Sequence, residues 1–170
     1  DQFTDGNAGN NFVTQNYNGA GDRTAGAARI ALTNTQATWT AVGSSSFELR
    51  DGGNTARCPS LVRQCAGPQV FDGFNDVGWS DLGRCRATCT LGVTWSSSST
   101  DEADMALNTR ASWRTDGGNY DVESVLLHEN GHVAGLGHSS VQAAVMYAYY
   151  QGARRSLHQD DIDGISSLYP

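Results

Sequence analysis

The sequence predicts an α+β fold built from five strands and three helices in one domain. Three observations lead there. Apolar residues recur at helical spacing in three separated stretches, near 23–42, 121–135 and 159–169. Five shorter stretches with strand character precede the second of these. A length of 170 residues with 38% hydrophobic content suits one domain with its own core.

Taken in order, Asn11–Tyr17 alternates enough for a first strand. From Arg23 to about Val42 a helix is expected. Ala27, Ile30, Ala31, Asn34, Ala37 and Thr38 mark its face, and Gly43 ends it. Ser46–Arg50 reads as a second strand, closed by the breaker Asp51-Gly52-Gly53-Asn54. Pro59, Pro68 and two cysteines make 54–69 a loop. Val70–Trp79 reads as a third strand bent at Asp72-Gly73. Thr90–Trp95 is a fourth strand, joined by a serine run to a fifth, Ala103–Asn108. Thr115–Asn119 breaks the chain. Asp121 then caps a helix that buries Val122, Val125, Leu126 and Val133 and stops at Gly135. A loop leads to the last helix, about Gln159–Tyr169, with Asp160, Asp161 and Asp163 in its first turn and Ile162, Ile165 and Leu168 as its stripe.

Formal net charge is −7 and every basic residue is arginine. Such a balance makes nucleic acid a poor partner and favours solubility. No apolar run approaches the roughly 20 residues of a spanning helix, so no membrane partner is expected. The chain begins at Asp1 with no charged-then-apolar leader, which reads as a chain whose signal or pro-segment has been removed. The four cysteines, Cys58, Cys65, Cys85 and Cys89, do not follow a zinc-ribbon spacing. Their even number points to two disulfides and a secreted, extracellular protein. Of three connectivities, local pairing of Cys58 with Cys65 and Cys85 with Cys89 is expected.

Three of the four histidines fall in His128-Glu129-Asn130-Gly131-His132-Val133-Ala134-Gly135-Leu136-Gly137-His138. His128 and His132 are four apart on a helix, so both imidazoles leave one face and can share an ion. Glu129 lies about 100° round the helix, within reach of a water on that ion. Gly135 allows positive φ and a sharp turn that brings His138 back to the same point. Three imidazoles leave zinc's fourth position open, the arrangement of catalytic zinc. His158, outside the pattern, reads as a cap or surface residue.

This pattern, H-E-x-x-H-x-x-G-x-x-H followed by Met146 in Ala144-Val145-Met146-Tyr147, resembles the metzincin zinc endopeptidases. Ser139 after the third histidine, and Leu157–Tyr169, are similar to the matrixins within that group. The resemblance runs from about Ala103 to Pro170. It implies a zincin-like fold: a twisted mixed sheet, with a cleft between a larger N-terminal subdomain (1–135, active-site helix about 121–135) and a smaller C-terminal one (136–170). It implies Met146 as an apolar floor under the metal and Tyr150, with Tyr147 beside it, in the wall of the S1′ pocket. Tyr149 is adjacent, so the tyrosine assignment is open to a shift by one. Matrixins also carry a structural zinc on three further histidines; only His158 is left here, so one zinc is expected. Their calcium sites do not map residue by residue. Asp72, Asp76, Asp101 and Glu102 are carboxylates available to Ca2+ and are expected to be solvated loop acids. The family's pairing of a freed N-terminal ammonium with the last helix would join Asp1 to Asp160 or Asp161.

The implied activity is hydrolysis of peptide bonds in an extended protein or peptide substrate, by a zinc-bound water with Glu129 as general base. The substrate is expected along the edge strand 90–95, at Leu91 and Val93. The S1′ pocket near Val125, Tyr147 and Tyr150 is expected to be apolar, and the protein monomeric. Two alternatives stand beside this: a catalytically silent binding module on the same scaffold, and a zinc hydrolase of a non-peptide substrate.

Overall fold

The computed structural model describes residues 11–60, 71–97 and 99–170. Eight elements follow one another: β1 (Phe12–Tyr17), α1 (Ala27–Thr40), β2 (Glu48–Asn54), β3 (Asn75–Ser80), β4 (Gly92–Ser97), β5 (Glu102–Asn108), α2 (Val122–Val133) and α3 (Gln159–Leu168). The strands form one mixed sheet in the order β2-β1-β3-β5-β4. All neighbours are parallel except β4, which runs antiparallel to β5 and forms one edge. α1 packs on β2 and on α2, and α2 packs on β4 and β5. The histidine motif therefore lies on the helix pressed against the edge strand.

The helix expected from Arg23 starts at Ala27, because Ala25 and Gly26 take φ of 54° and 90° and break the spiral. Its buried face is Ala28, Ala31, Leu32, Thr35, Gln36 and Trp39, whereas Ile30 is 67% exposed. Large polar residues occupy that face because they bond to one another. Gln36 Nε2 donates to Gln15 Oε1, Gln15 Nε2 to Asn130 Oδ1, and Asn130 Nδ2 to Thr35 Oγ1. This buried chain ties β1 and α1 to the middle of α2, a polar arrangement tolerated inside a core because its members bond one another, with Gln36 Oε1 left without a partner among the described residues. Trp39, fully buried, donates from its indole to the Leu127 carbonyl at 2.9 Å, one residue before His128.

The breaker Asp51–Asn54 is part of β2 rather than its end. Its glycines serve a bulge: the register with β1 shifts between Gln15 and Tyr17, and Gly53 takes φ 86°. β3 begins at Asn75, later than expected, because Gly73 at φ 84° and the Asp72 carboxylate accepting from Phe74 N hold a turn before it.

Two of the four acids expected in solvent are buried. Asp76 is paired with Arg57 at 3.0 Å, and Glu102 accepts from Ser60 Oγ and Gly73 N. Burial also pushes the neighbouring Asp104 carboxyl up to about 7, against backbone N–H donors from Ser60 and Asp76 that lower it. Asp72 is exposed. The Cys85–Cys89 bridge is formed as expected. The Cys58–Cys65 bridge involves residue 65, outside the described residues, as does Asp1.

Replacing Trp39 by Ala removes the largest fully buried side chain and its bond to α2. The expected cost is about 3–5 kcal/mol, read as a lowered urea midpoint. An unchanged midpoint would contradict this packing.

Candidate metal centre

The histidine helix is anchored at both ends by its own sequence. At the start, the Asp121 carboxylate accepts from Ser124 N at 3.0 Å and Ser124 Oγ at 2.7 Å, a side-chain cap on otherwise unpaired helix donors. At the end, Gly135 takes φ 89°. Its N–H donates to His132 O while Leu136 N donates to Gly131 O, the paired bonds of a Schellman motif. The chain reverses there and carries His138 back toward the helix.

The three imidazoles converge, with one ligand nitrogen from each lying within 4.8 Å of the others. Two of them are oriented by carbonyl oxygens: Val145 O takes His128 Nδ1 at 2.7 Å, and Leu136 O takes His132 Nδ1 at 2.8 Å. A carbonyl can only accept, so each Nδ1 carries the proton and each Nε2 presents a lone pair. Burial lowers the pKa of His128 to about 4, and that of His132 also falls by burial. Both rings are thus neutral, the form that ligates.

This donor set fits zinc. His132 Nε2 and His138 Nε2 are 3.2 Å apart. The edge of a tetrahedron with metal–nitrogen bonds of about 2.0–2.1 Å is about 3.3 Å. Three nitrogen donors with carbonyl partners behind two of them match the oriented imidazoles of zinc centres.

The Met146 floor and the histidines share supports. Met146 is buried, and Gly131 is the position in α2 where any Cβ would strike its sulfur. Asp161 grips the same turn. Its Oδ2 accepts from Val145 N at 2.9 Å and His158 N at 2.8 Å, and its Oδ1 accepts from Met146 N at 3.0 Å. The Val145 carbonyl that orients His128 is therefore fixed through α3. Asp160 accepts from Ser139 Oγ at 2.6 Å, and Ser139 N donates to Met146 O. His158 caps α3, accepting from Asp160 N.

Glu129 sits between α2 and the edge strand and is 5% exposed. Burial raises its pKa to about 7, while the Thr94 hydroxyl, donating to Oε2 at 2.7 Å, opposes the rise. Gly92 makes room for it: a Cβ there would lie 2.8 Å from Glu129 Oε1.

A cleft of about 980 Å³ collects these groups. It is lined by His128, Glu129, His132 and His138, and also by Leu91, Val93, Val125, Tyr147 and Tyr150, all of which the sequence places near the substrate. Tyr150 is half-buried, as is Tyr147, with the Tyr150 hydroxyl accepting from Asp121 N and donating to Gly118 O, whereas Tyr149 is 71% exposed. Cys85 and Cys89 close the loop before β4, and Cys89 reaches the cleft rim. Sequence reasoning missed Thr94, Asp161 and Arg154, which also lines the cleft. Thr94 lies in the predicted edge strand and Asp161 in a predicted first turn, but nothing in their spacing marks what they bond.

The profile described as Matrixin matches residues 74–170, more than half of the chain. The chain belongs to the matrixin family. Its domain is of the zinc-metalloendopeptidase type. Similar proteins include Metalloendoproteinase 5-MMP of Arabidopsis thaliana, 53% identical over 29% of this chain and 14% of that protein. Karilysin of Tannerella forsythia is 42% identical over 34% of this chain and 12% of its own length. Human neutrophil collagenase is 41% identical over 39% and 15%. The matched segments are thus a small part of each relative.

In this matrixin the support of His128 gives two expected outcomes. Asp161→Asn replaces an oxygen that accepts from Val145 and His158 N–H groups, or one that accepts from Met146, with a donor. It should lower stability by about 1–3 kcal/mol and weaken zinc retention against a chelator; unchanged retention would separate the turn from the metal centre. The second outcome concerns pH. The folded pKa of His128, about 4, lies below the ordinary histidine value of 6.5, so the folded state binds fewer protons between them. Its contribution to stability is present above about 6.5 and is lost as pH falls toward 4. Thermal melts of the zinc-free protein should therefore show a smaller loss between pH 7 and 5 in His128→Asn than in the wild type.

Proposed function

We propose that this matrixin is a secreted endopeptidase that cuts protein or peptide substrates lying extended along β4, with His128, His132 and His138 holding one zinc ion. The observation that carries the reading is the position of Glu129, buried beside the three imidazoles and against an edge strand. Among the described residues β4 pairs with a strand on one side only, so its other side offers backbone groups to an added strand. Zinc, when bound, polarises a carbonyl and makes water more acidic.

The remaining steps belong to the chain's own groups. The imidazole orientations are held by the Val145 and Leu136 carbonyls. Glu129 takes the proton of the attacking water and returns it to the leaving nitrogen. Thr94 holds the carboxylate in place and favours its ionised form. Leu91 and Val93 flank the bound backbone, and Val125, Tyr147 and Tyr150 form a side-chain pocket. Met146 supports the site from below α2. The cleft divides an upper part, 1–135, from a lower part, 136–170. The Cys85–Cys89 bridge supports secretion into an oxidising compartment. The acidic charge disfavours nucleic acid, no described helix is long and apolar enough to cross a membrane, and the working unit is a monomer.

Glu129→Ala should retain about one zinc per chain and lose about 10²–10⁴-fold in casein or peptide cleavage. Wild-type-like cleavage by this variant would remove Glu129 as the base. Two tightly held zinc ions would contradict the single centre.

A further inference from the structure

Arg154 and Arg155 are adjacent and differently used. Arg155 is ion-paired: its Nη2 donates to Asp121 Oδ1 at 2.5 Å and to the Thr115 carbonyl at 2.9 Å, and its Nε donates to Asp121 Oδ2 at 3.0 Å. Its Nη1 is 3.8 Å from Glu123. It fastens the loop after Tyr150 to the cap of α2. Arg154 is placed by that loop into the cleft wall. Its backbone N–H donates to Ser124 Oγ at 2.7 Å, and its guanidinium makes one hydrogen bond among the described residues, from Nη1 to the Ala144 carbonyl at 3.1 Å. Among the described residues no carboxylate pairs with it, although it is half-buried in an acidic protein.

We infer that Arg154 is a specificity-determining residue that favours substrates with a carboxylate side chain at the position entering the pocket beside α2. The inference rests on the endopeptidase reading and deepens it from protein substrate to acidic peptide. A guanidinium has five donors in a planar fork suited to a carboxylate, and only one is engaged here. Val125 and the ring of Tyr150 line the same cleft and reduce the competition from water. The chain's net charge of −7 does not cancel this attraction. At physiological salt, charges more than about 8 Å away are largely screened, whereas a contact pair in a cleft is not. The pocket expected to be apolar therefore carries a cation in its wall.

The test uses the zinc-loaded chain and pairs of peptides identical except for Glu or Gln at each position flanking the cut bond. The Glu peptide should have a kcat/KM about tenfold higher at one position, and Arg154→Gln should bring that ratio toward one. Because each ratio is taken within one protein, partial unfolding of the variant cancels. If Arg154 only braces the Ala144 carbonyl, the wild-type ratio is one at every position, and that result overturns the inference. A Glu preference that survives Arg154→Gln also overturns it. Should the variant not fold, a third peptide decides: with Lys at that position the wild-type kcat/KM should fall below that of the Gln peptide, and equal values for Lys and Gln overturn the inference. Cleavage of neither peptide at any position overturns the endopeptidase reading itself, and this inference with it.

Discussion

Three imidazoles meet at one point, two of them kept neutral by burial. The Nε2 lone pairs of His128 and His132 point toward that place, and their orientation is enforced from behind. Here the enforcement is a pair of backbone carbonyls. Leu136 O belongs to the reversal that ends α2, so His132 is fixed by the geometry of its own helix end. Val145 O belongs to a separate turn, and that turn is held by Asp161 from α3. The last helix, distant in sequence from the motif, thus acts on His128 through two backbone contacts. This is why α3 begins with a carboxylate buried at 2% exposure, where a helix cap alone would be satisfied in solvent.

Packing behind α2 follows from the same constraint. A helix whose ligands point into a cleft needs its opposite side immobilised. Trp39 bonds the Leu127 carbonyl, and Gln15 and Thr35 bond Asn130, so residues on both sides of Glu129 are tied to β1 and α1. Glycine is required at two approaches. At Gly131 the Met146 sulfur occupies the space of a Cβ, and at Gly92 the Glu129 carboxylate does. Floor, helix and edge strand are closer together than any larger residue would permit.

The histidine motif, its cap at Asp121 and the turn at Gly135 were legible, because each rests on local spacing or a local backbone preference; the edge position of the fourth strand followed from chain order. Reading failed where a residue's role depends on a distant partner. Ile30 has helical spacing and β-branched bulk, yet Gln36 is buried in its place, because only the assembled fold supplies Gln15 to bond it. Asp51–Asn54 has breaker composition and lies in a strand, since glycine serves a bulge as well as a turn. Asp76 and Glu102 look like loop acids until Arg57, Ser60 and Gly73 close over them. Asp160 and Asp161 bond Ser139 and the Met146 turn; Asp1, expected to pair with one of them, lies outside the described residues.

Burial shifts two neighbours on α2 in ways that differ in consequence. It brings His128 to about 4 and Glu129 to about 7, in both cases by favouring the neutral form. For an imidazole the neutral form is the ligand, so burial prepares it. For a carboxyl the neutral form is idle as a base, so burial restrains it. A nearby positive charge reverses only the second effect, because it favours carboxylate over carboxylic acid. A cation held by the histidines, as proposed, would therefore favour ionised Glu129, and the Thr94 hydroxyl acts in the same direction. A buried glutamate one residue after a buried imidazole thus has its ionisation tied to whatever charge that imidazole faces.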